Sequence, residues 1–169
     1  DVKAPLEIIK GLDFFYKQKF IVGGKAYNLY HLEQQKMVQT KSDPRSHFIL
    51  NCGSASCPPM RPELPVGLEL EPFLQRAAIE FINNPDNVRI NSATQSIELS
   101  KIFKWYIENF AATSPLQKMA ETNKKINTPS QTSALISYIE QYANVSLKEQ
   151  LQQAKSKPIY GRSMLRSFS

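Results

Sequence analysis

The sequence is poor in the residues that most metal and thiol enzymes use. It contains only two cysteines and two histidines among 169 residues. Cys52 and Cys57 are too far apart for the redox C-x-x-C motif, and no second cysteine pair completes a four-thiolate zinc site. Two histidines also exclude most zinc-enzyme patterns. We therefore predict no bound cofactor and no metal.

The sequence also lacks targeting and membrane-spanning patterns. No apolar run approaches the ~18 residues of a membrane span, so we expect no transmembrane segment. No signal-peptide pattern opens the chain, and its first residue is Asp1 rather than Met, which suggests a cut or processed end. Hydrophobic residues make up 41% and charged residues 21%, which is ordinary for a folded globular domain.

Basic residues exceed acidic ones without forming a nucleic-acid surface. Lys and Arg together number 21 against 15 acidic residues, for a net charge of +6. The excess is spread over separate segments, whereas nucleic-acid binding favours basic residues clustered on one face. We therefore predict no nucleic-acid partner and interpret the basic C-terminal stretch as a solvated tail.

The hydrophobic pattern alternates between short strands and longer helices, which predicts an α+β fold. We expect a single domain over residues 1–160, with a small β-sheet packed against several helices, followed by a tail over 161–169. Gly23-Gly24 between two short apolar runs predicts a β-hairpin, and Asn28 and Ser100 are expected helix N-caps. We predict a hairpin from strands at 88–90 and 96–99, a last strand at 157–160, and helices at 29–38, 69–84, 101–111, 115–121, 130–143 and 146–154.

One hydrophobic core is expected from the stripes of these elements. We predict that it contains Phe48, Leu50, Phe73, Leu74, Phe81, Ile102, Phe103 and Tyr106.

The most unusual stretch surrounds the two cysteines. Residues 46–51 form an apolar run between structure breakers, which predicts a short buried strand with His47 and Asn51 on one face. His47 is then close in sequence to both thiols. A Cys–His site would use His47 as general base and Cys52 or Cys57 as nucleophile, with Asn51 orienting the imidazole.

Two other interpretations of these residues remain open. In the first, His47 is a buried histidine beside a structural pair of cysteines. In the second, His47, Cys52 and Cys57 bind a metal with Glu33 or water as the fourth ligand, although this spacing fits no standard zinc motif.

Further polar and aromatic residues could contact a substrate. Arg45 could bind a carboxylate or pair locally with Asp43. Trp105 is expected in the core, at its rim or at a pocket. We also assign Ser54 and Ser56, inside the cysteine loop, to substrate binding.

Three sequence blocks carry a family resemblance. The block D-P-R-S-H-F-I-L-N-C-G-S-A-S-C-P-P at 43–59 resembles the hallmark of the family catalogued as domain of unknown function 547. The blocks F-I-V-G-G-K-A-Y-N-L-Y-H-L-E at 20–33 and I-E-L-S-K-I-F-K-W-Y-I-E-N-F at 97–110 are similar to two further blocks of that family. The resemblance extends over roughly residues 8–160.

The resemblance carries expectations of its own. It implies a bacterial or plant origin and a papain-like cysteine-peptidase arrangement in a rearranged order, with histidine before cysteine. Many bacterial relatives look exported, which implies an extracytoplasmic location and a Cys52–Cys57 disulfide. The chain departs from the family pattern at Gln34, which stands where histidine is common, and it lacks the family's opening helix.

Two functional hypotheses follow. The first is a thiol-dependent hydrolase or transferase acting on a peptide-like or thiol-containing small molecule, with Asn51 or Glu33 orienting His47 and Arg45 anchoring the substrate. The second is a non-catalytic binding or scaffold domain in which Cys52 and Cys57 form a structural pair.

Overall fold

Helices make up most of the structure, and its strands are confined to two small sheets. The computed structural model of the chain describes residues 14–33, 43–51, 56–62, 65–122, 130–154 and 159–160. This architecture confirms the predicted α+β class. The elements are β1 (Phe20–Val22), β2 (Lys25–Tyr27), α1 (Leu29–His31), 3₁₀-helices at Pro44–Phe48 and Gly67–Glu69, α2 (Leu70–Ile82), β3 (Val88–Asn91), β4 (Ser96–Leu99), α3 (Lys101–Trp105), α4 (Ile107–Ala112), α5 (Pro115–Thr122), α6 (Gln131–Tyr142), α7 (Val145–Gln153) and β5 (Ile159–Tyr160).

The first sheet is the glycine hairpin expected from the sequence. β1 and β2 pair antiparallel. Gly23 and Gly24 join them with positive φ angles of 58° and 75°, as a primed two-residue turn requires. Asn28 then caps α1 by accepting a hydrogen bond from the backbone N–H of His31. This α-helix ends at His31, and residues 34–38 of the helix predicted over 29–38 lie outside the described residues.

The second sheet combines neighbours in sequence with a distant partner. β3 and β4 form the predicted antiparallel hairpin. On it, Arg89 and Glu98 face each other across the strands and form an ion pair. β5 pairs with β4 in parallel, so the chain returns to this sheet after the helices that follow β4.

The helix predicted over 101–111 consists of two shorter helices. Ser100 caps the first by accepting a hydrogen bond from the backbone N–H of Ile102, as predicted. α3 and α4 are separated at Tyr106, whose φ of −118° and ψ of 27° are not helical.

Across the described ranges, no helix is both long and apolar enough to cross a membrane.

The core is centred on a cluster of phenylalanine rings from four elements. The ring of Phe48 lies 4.7 Å from that of Phe81, 5.4 Å from that of Phe110 and 5.9 Å from that of Phe103. Further buried members come from α2, both strands of the second hairpin, α3, α6 and α7. They are Ala77, Ala78, Ile82, Val88, Ile97, Leu99, Ile102, Leu135, Tyr138, Ile139, Leu147 and Leu151.

The strand predicted over 46–51 is wrong. Pro44–Phe48 is a 3₁₀-helix, and the alternating faces expected for a strand do not exist. Asp43 caps this helix, because its carboxylate accepts a hydrogen bond from the backbone N–H of Arg45. Proline follows at the first helical position, where its missing N–H costs nothing. The Asp43-Pro44 pair is therefore a helix-start signal, whereas the apolar residues after it favoured the strand prediction.

Two residues predicted for the core, Leu50 and Phe73, are not fully buried. Leu50 is 38% exposed and is not a core residue, because the strand that would have buried it is absent. Phe73 is only half-buried, with the Arg61 guanidinium above its ring. The other predicted members are buried or pack against the core: Phe48, Leu74, Phe81, Ile102, Phe103 and Tyr106.

Replacement of Phe81 by alanine tests this packing. Phe81 is 5% exposed and contacts both Phe48 and Phe103, so Phe81→Ala should lower the free energy of unfolding by about 3–5 kcal/mol in urea denaturation. Ile79→Ala on the same helix is the matched control, since Ile79 is 42% exposed. Equal, small effects of the two substitutions would contradict the described core.

Candidate functional site

His47 is buried within the aromatic core instead of lying on a strand. Its side chain is 3% exposed, and its ring stacks on that of Tyr106 with the centroids 3.7 Å apart and the planes within 14°. Phe110 contacts the imidazole edge-on at 5.6 Å. Within the described part of the chain, His47 Nε2 has no hydrogen-bond partner. The imidazole is therefore held by ring packing while one polar atom stays unsatisfied.

Burial determines the charge of this imidazole. Removal from water disfavours the imidazolium form and lowers the pKa of His47 from its ordinary value of 6.5 to about 4. His47 is therefore neutral at physiological pH. A neutral imidazole can accept a proton from a nucleophile, but the same environment opposes a stable thiolate–imidazolium pair.

Tyr106 joins His47 to Glu33. The Tyr106 hydroxyl donates a hydrogen bond to Glu33 Oε1, although the two residues are 73 positions apart. Burial in the first place, and this hydrogen bond in the second, raise the pKa of Tyr106 well above its usual value. The structure thus brings together two predicted site residues through a third that the sequence assigned only to the core. We call Glu33, Tyr106 and His47 the imidazole stack.

Two hydrogen bonds hold the backbone at Ser56 and Pro58, on either side of Cys57. Asn51 Nδ2 donates to the carbonyl oxygen of Pro58 at 2.7 Å, and these residues enclose both cysteines in the sequence. The Ser100 hydroxyl donates to the carbonyl oxygen of Ser56 at 3.0 Å. Asn51 therefore spans the loop, and the residue that caps α3 also anchors it.

Cys57 is disulfide-bonded. It is half-buried and packs against the hydrophobic core. The sequence contains one other cysteine, Cys52, which lies outside the described residues, as does Ser54. In this state Cys57 has no titratable thiol and cannot act as a nucleophile. Ser56 is buried, with 6% of its surface exposed.

Arg45 connects the 3₁₀-helix to α2. Its guanidinium donates to both oxygens of Asp43 and both oxygens of Glu71, with a further contact to Gln75 Oε1. Its side chain is 11% exposed. All three guanidinium nitrogens are thus engaged with protein oxygens, which matches the local pairing with Asp43 more closely than the role of substrate anchor.

Trp105 directly precedes Tyr106 of the imidazole stack. Trp105 ends α3 with its side chain 48% exposed. An open cavity of about 180 Å³ lies among the end of α2, β3 and the start of α7, and no predicted site residue lines it. No three metal-binding side chains converge within the described ranges, from which Cys52 is absent.

The comparison with protein families agrees with the cysteine-block resemblance. Residues 2–82, just under half of the chain, match the family described as protein of unknown function, DUF547. This match confirms the predicted family for that part of the chain. The similarity predicted for residues beyond 82, including the block at 97–110, stays a prediction. No curated protein and no solved structure matches the chain.

Acid titration tests the burial of the imidazole. With a pKa near 4 in the folded protein and 6.5 as its ordinary value, His47 binds protons more readily in the unfolded chain between these pH values. Its contribution to stability is complete above pH 6.5 and is lost as pH falls towards 4, by about 3 kcal/mol. His47→Phe keeps a ring on Tyr106 and should remove this loss, as measured by urea denaturation at pH 7 and pH 4. Parallel pH curves for the two proteins would contradict a buried neutral imidazole.

Proposed function

We propose that this chain is a non-catalytic binding or scaffold domain in which Cys52 and Cys57 form a structural pair. The observation that carries the proposal is the disulfide at Cys57. An oxidised sulfur removes the nucleophile that thiol-dependent hydrolysis or transfer requires. The chain has only two cysteines, so no third thiol can replace it.

The other candidate catalytic residues support the same proposal. Asn51 is hydrogen-bonded to the loop backbone, and Arg45 is occupied by two carboxylates. Glu33 accepts from Tyr106 rather than standing free to orient an imidazole. Each side chain thus has a local structural partner that accounts for its position.

A structural pair should contribute measurable stability. Closing a loop of six residues from 52 to 57 stabilises a fold by about 2 kcal/mol in the chain-entropy picture. We expect a phosphine reductant to lower the free energy of unfolding by about this amount, with the Cys52→Ala/Cys57→Ala variant showing the reduced value in both conditions. After treatment with iodoacetamide but without the reductant, mass spectrometry of the protein should show no adduct. Adduct formation without reductant would contradict the proposal.

The imidazole stack favours a second candidate, a thiol-dependent reaction in the reduced protein. A buried, unsatisfied imidazole nitrogen is uncommon and often marks a functional site. In this candidate one freed thiol, with Cys52 preferred, gives its proton to neutral His47 while its sulfur bonds to an acyl carbon of a peptide-like or thiol-containing substrate. The bond from that carbon to its amine or thiol leaving group breaks, and the His47 imidazolium returns the proton to the leaving group. Water or another acceptor then takes the acyl group from the sulfur and regenerates the thiol. Tyr106 and Glu33 would position the ring.

Labelling of the reduced protein separates the two candidates. A thiol activated by His47 should react with iodoacetamide well below the free-thiol pKa of about 8.5, and His47→Ala should abolish this advantage. Tyr106→Phe should retain the fold and shift the labelling profile only if the stack positions the imidazole. A structural pair predicts the free-thiol profile in all three proteins once they are reduced.

A further inference from the structure

β3 lies at the edge of the second sheet, so one side of its backbone has no neighbouring strand. The strand order is β3–β4–β5, and within the described ranges β3 pairs with β4 alone. A strand edge of this kind presents N–H and C=O groups that can pair with another chain. The register of the β3–β4 hairpin determines which of these groups face outward.

The backbone groups of β3 alternate between β4 and the open edge. The Ser100 N–H donates to the carbonyl oxygen of Asn87 at 2.7 Å, and this pair extends the β3–β4 register by one position. In an antiparallel pair, hydrogen-bonded positions alternate with positions whose N–H and C=O point away from the partner strand. Val88 and Ile90 therefore turn their backbone groups towards the open edge, whereas Arg89 between them bonds to β4.

Three of these outward-facing groups remain available at the edge. The Val88 N–H donates to the carbonyl oxygen of Asn84 at 3.0 Å and is already used. Across the described ranges, no backbone hydrogen bond outside the hairpin reaches the Val88 C=O or the Ile90 N–H and C=O. A donor and two acceptors in a row along a strand match the backbone of an extended peptide.

The open cavity lies beside this edge and is too small for most small-molecule ligands. Val88 and Ile90 line it from β3, Leu147 lines it from α7, and Pro85 adds a further apolar wall. Its volume is about 180 Å³. Sites for drug-sized ligands have volumes of about 300–1,000 Å³. The cavity therefore suits one side chain of a bound peptide better than a separate small molecule.

The polar groups that line the cavity already have partners. Asn83 Nδ2 donates to backbone carbonyl oxygens of α2 and α6, and its Oδ1 accepts from the Asn144 N–H. Among the described residues that line the cavity, Arg89 is the one charged residue, and it pairs with Glu98. With its charge compensated and apolar walls beside it, the cavity favours an uncharged, apolar side chain.

We infer that the β3 edge and this cavity bind an extended peptide segment of a partner protein by strand addition. The peptide backbone pairs with Val88 and Ile90, and one apolar side chain of the peptide enters the cavity. This inference rests on the proposed function as a binding domain and names the class of partner. A second copy of the chain fits less well, because its β3 brings β4 about 4.8 Å further out, on the side where α7 lines the cavity.

Amide hydrogen exchange followed by NMR tests the open edge without any ligand. The Arg89 N–H bonds to β4 and should exchange slowly, whereas the Ile90 N–H faces outward and should exchange fast. Equal protection of the two amides would contradict the open edge.

Selection from a phage-displayed library of random heptapeptides tests the binding. We expect enrichment of sequences in which an apolar residue is flanked by strand-forming residues. A synthetic peptide of the enriched sequence should slow the exchange of the Ile90 N–H. Its affinity for the full chain and for each variant is then measured by fluorescence anisotropy.

Two pairs of variants separate the cavity from the strand edge. Gln150→Trp fills the cavity and should weaken binding tenfold or more, whereas Glu149→Trp on the same helix lies outside the lining and should leave it unchanged. Ile90→Pro removes the outward N–H, which an edge strand tolerates, and should abolish binding. Ile90→Ala also loses the side chain but keeps the N–H, and it should retain binding. Circular dichroism and the melting temperature report whether each variant is folded.

Three outcomes would overturn the inference. One is the absence of any enriched peptide, and another is an equal loss for Gln150→Trp and Glu149→Trp. The third is a concentration-dependent dimer in sedimentation equilibrium that Gln150→Trp abolishes, with no peptide binding, which would assign the edge to a second copy. Peptide binding together with a His47-activated thiol would reject the proposed function alone. Unreactive sulfurs without peptide binding would reject this inference alone.

Discussion

The insertion of Phe48 between helices is the interaction on which the rest of the structure depends. Phe48 is 1% exposed, and its ring contacts rings from α2, α3 and α4. It is the last residue of the Pro44–Phe48 3₁₀-helix. His47 directly precedes Phe48, and the cysteine loop begins a few residues after it. Anchoring Phe48 therefore also fixes the position of His47 and of the chain that enters the cysteine loop. The site is therefore a consequence of core packing rather than an addition to its surface.

Local signals in the sequence predicted the elements that depend on local interactions. The Gly23-Gly24 turn and the Ser100 cap each need only a few neighbouring residues, and both are present. α2 followed from an apolar stripe repeated over several turns. The 3₁₀-helix was missed because its five residues are too few for any period to appear, so their apolar character resembled that of a strand. Asp43 and Pro44 were the better guide, since capping acts on single residues.

The sequence identified residues of the candidate site but not the contacts between them. His47 and Glu33 were singled out from the sequence, yet the residue that connects them, Tyr106, was assigned to the core. Its hydroxyl donates to Glu33, and Tyr106 itself lies at the break between α3 and α4. No local sequence pattern predicts either feature. The disulfide at Cys57 was expected only through the family resemblance, because the spacing of two cysteines does not determine whether they pair.

The parallel pairing of β5 with β4 bears on the order in which the chain folds. Glu98 pairs with Ile159 and Leu99 with Tyr160, so the contact joins segments about 60 residues apart in sequence. The β3–β4 hairpin and the individual helices can form from nearby residues, whereas this pairing must wait until the intervening helices have brought the two segments together. We therefore expect the second sheet to grow from two strands to three late in folding. Until then β4 presents an unpaired edge, and the return of the chain that covers it also removes a template for association between molecules.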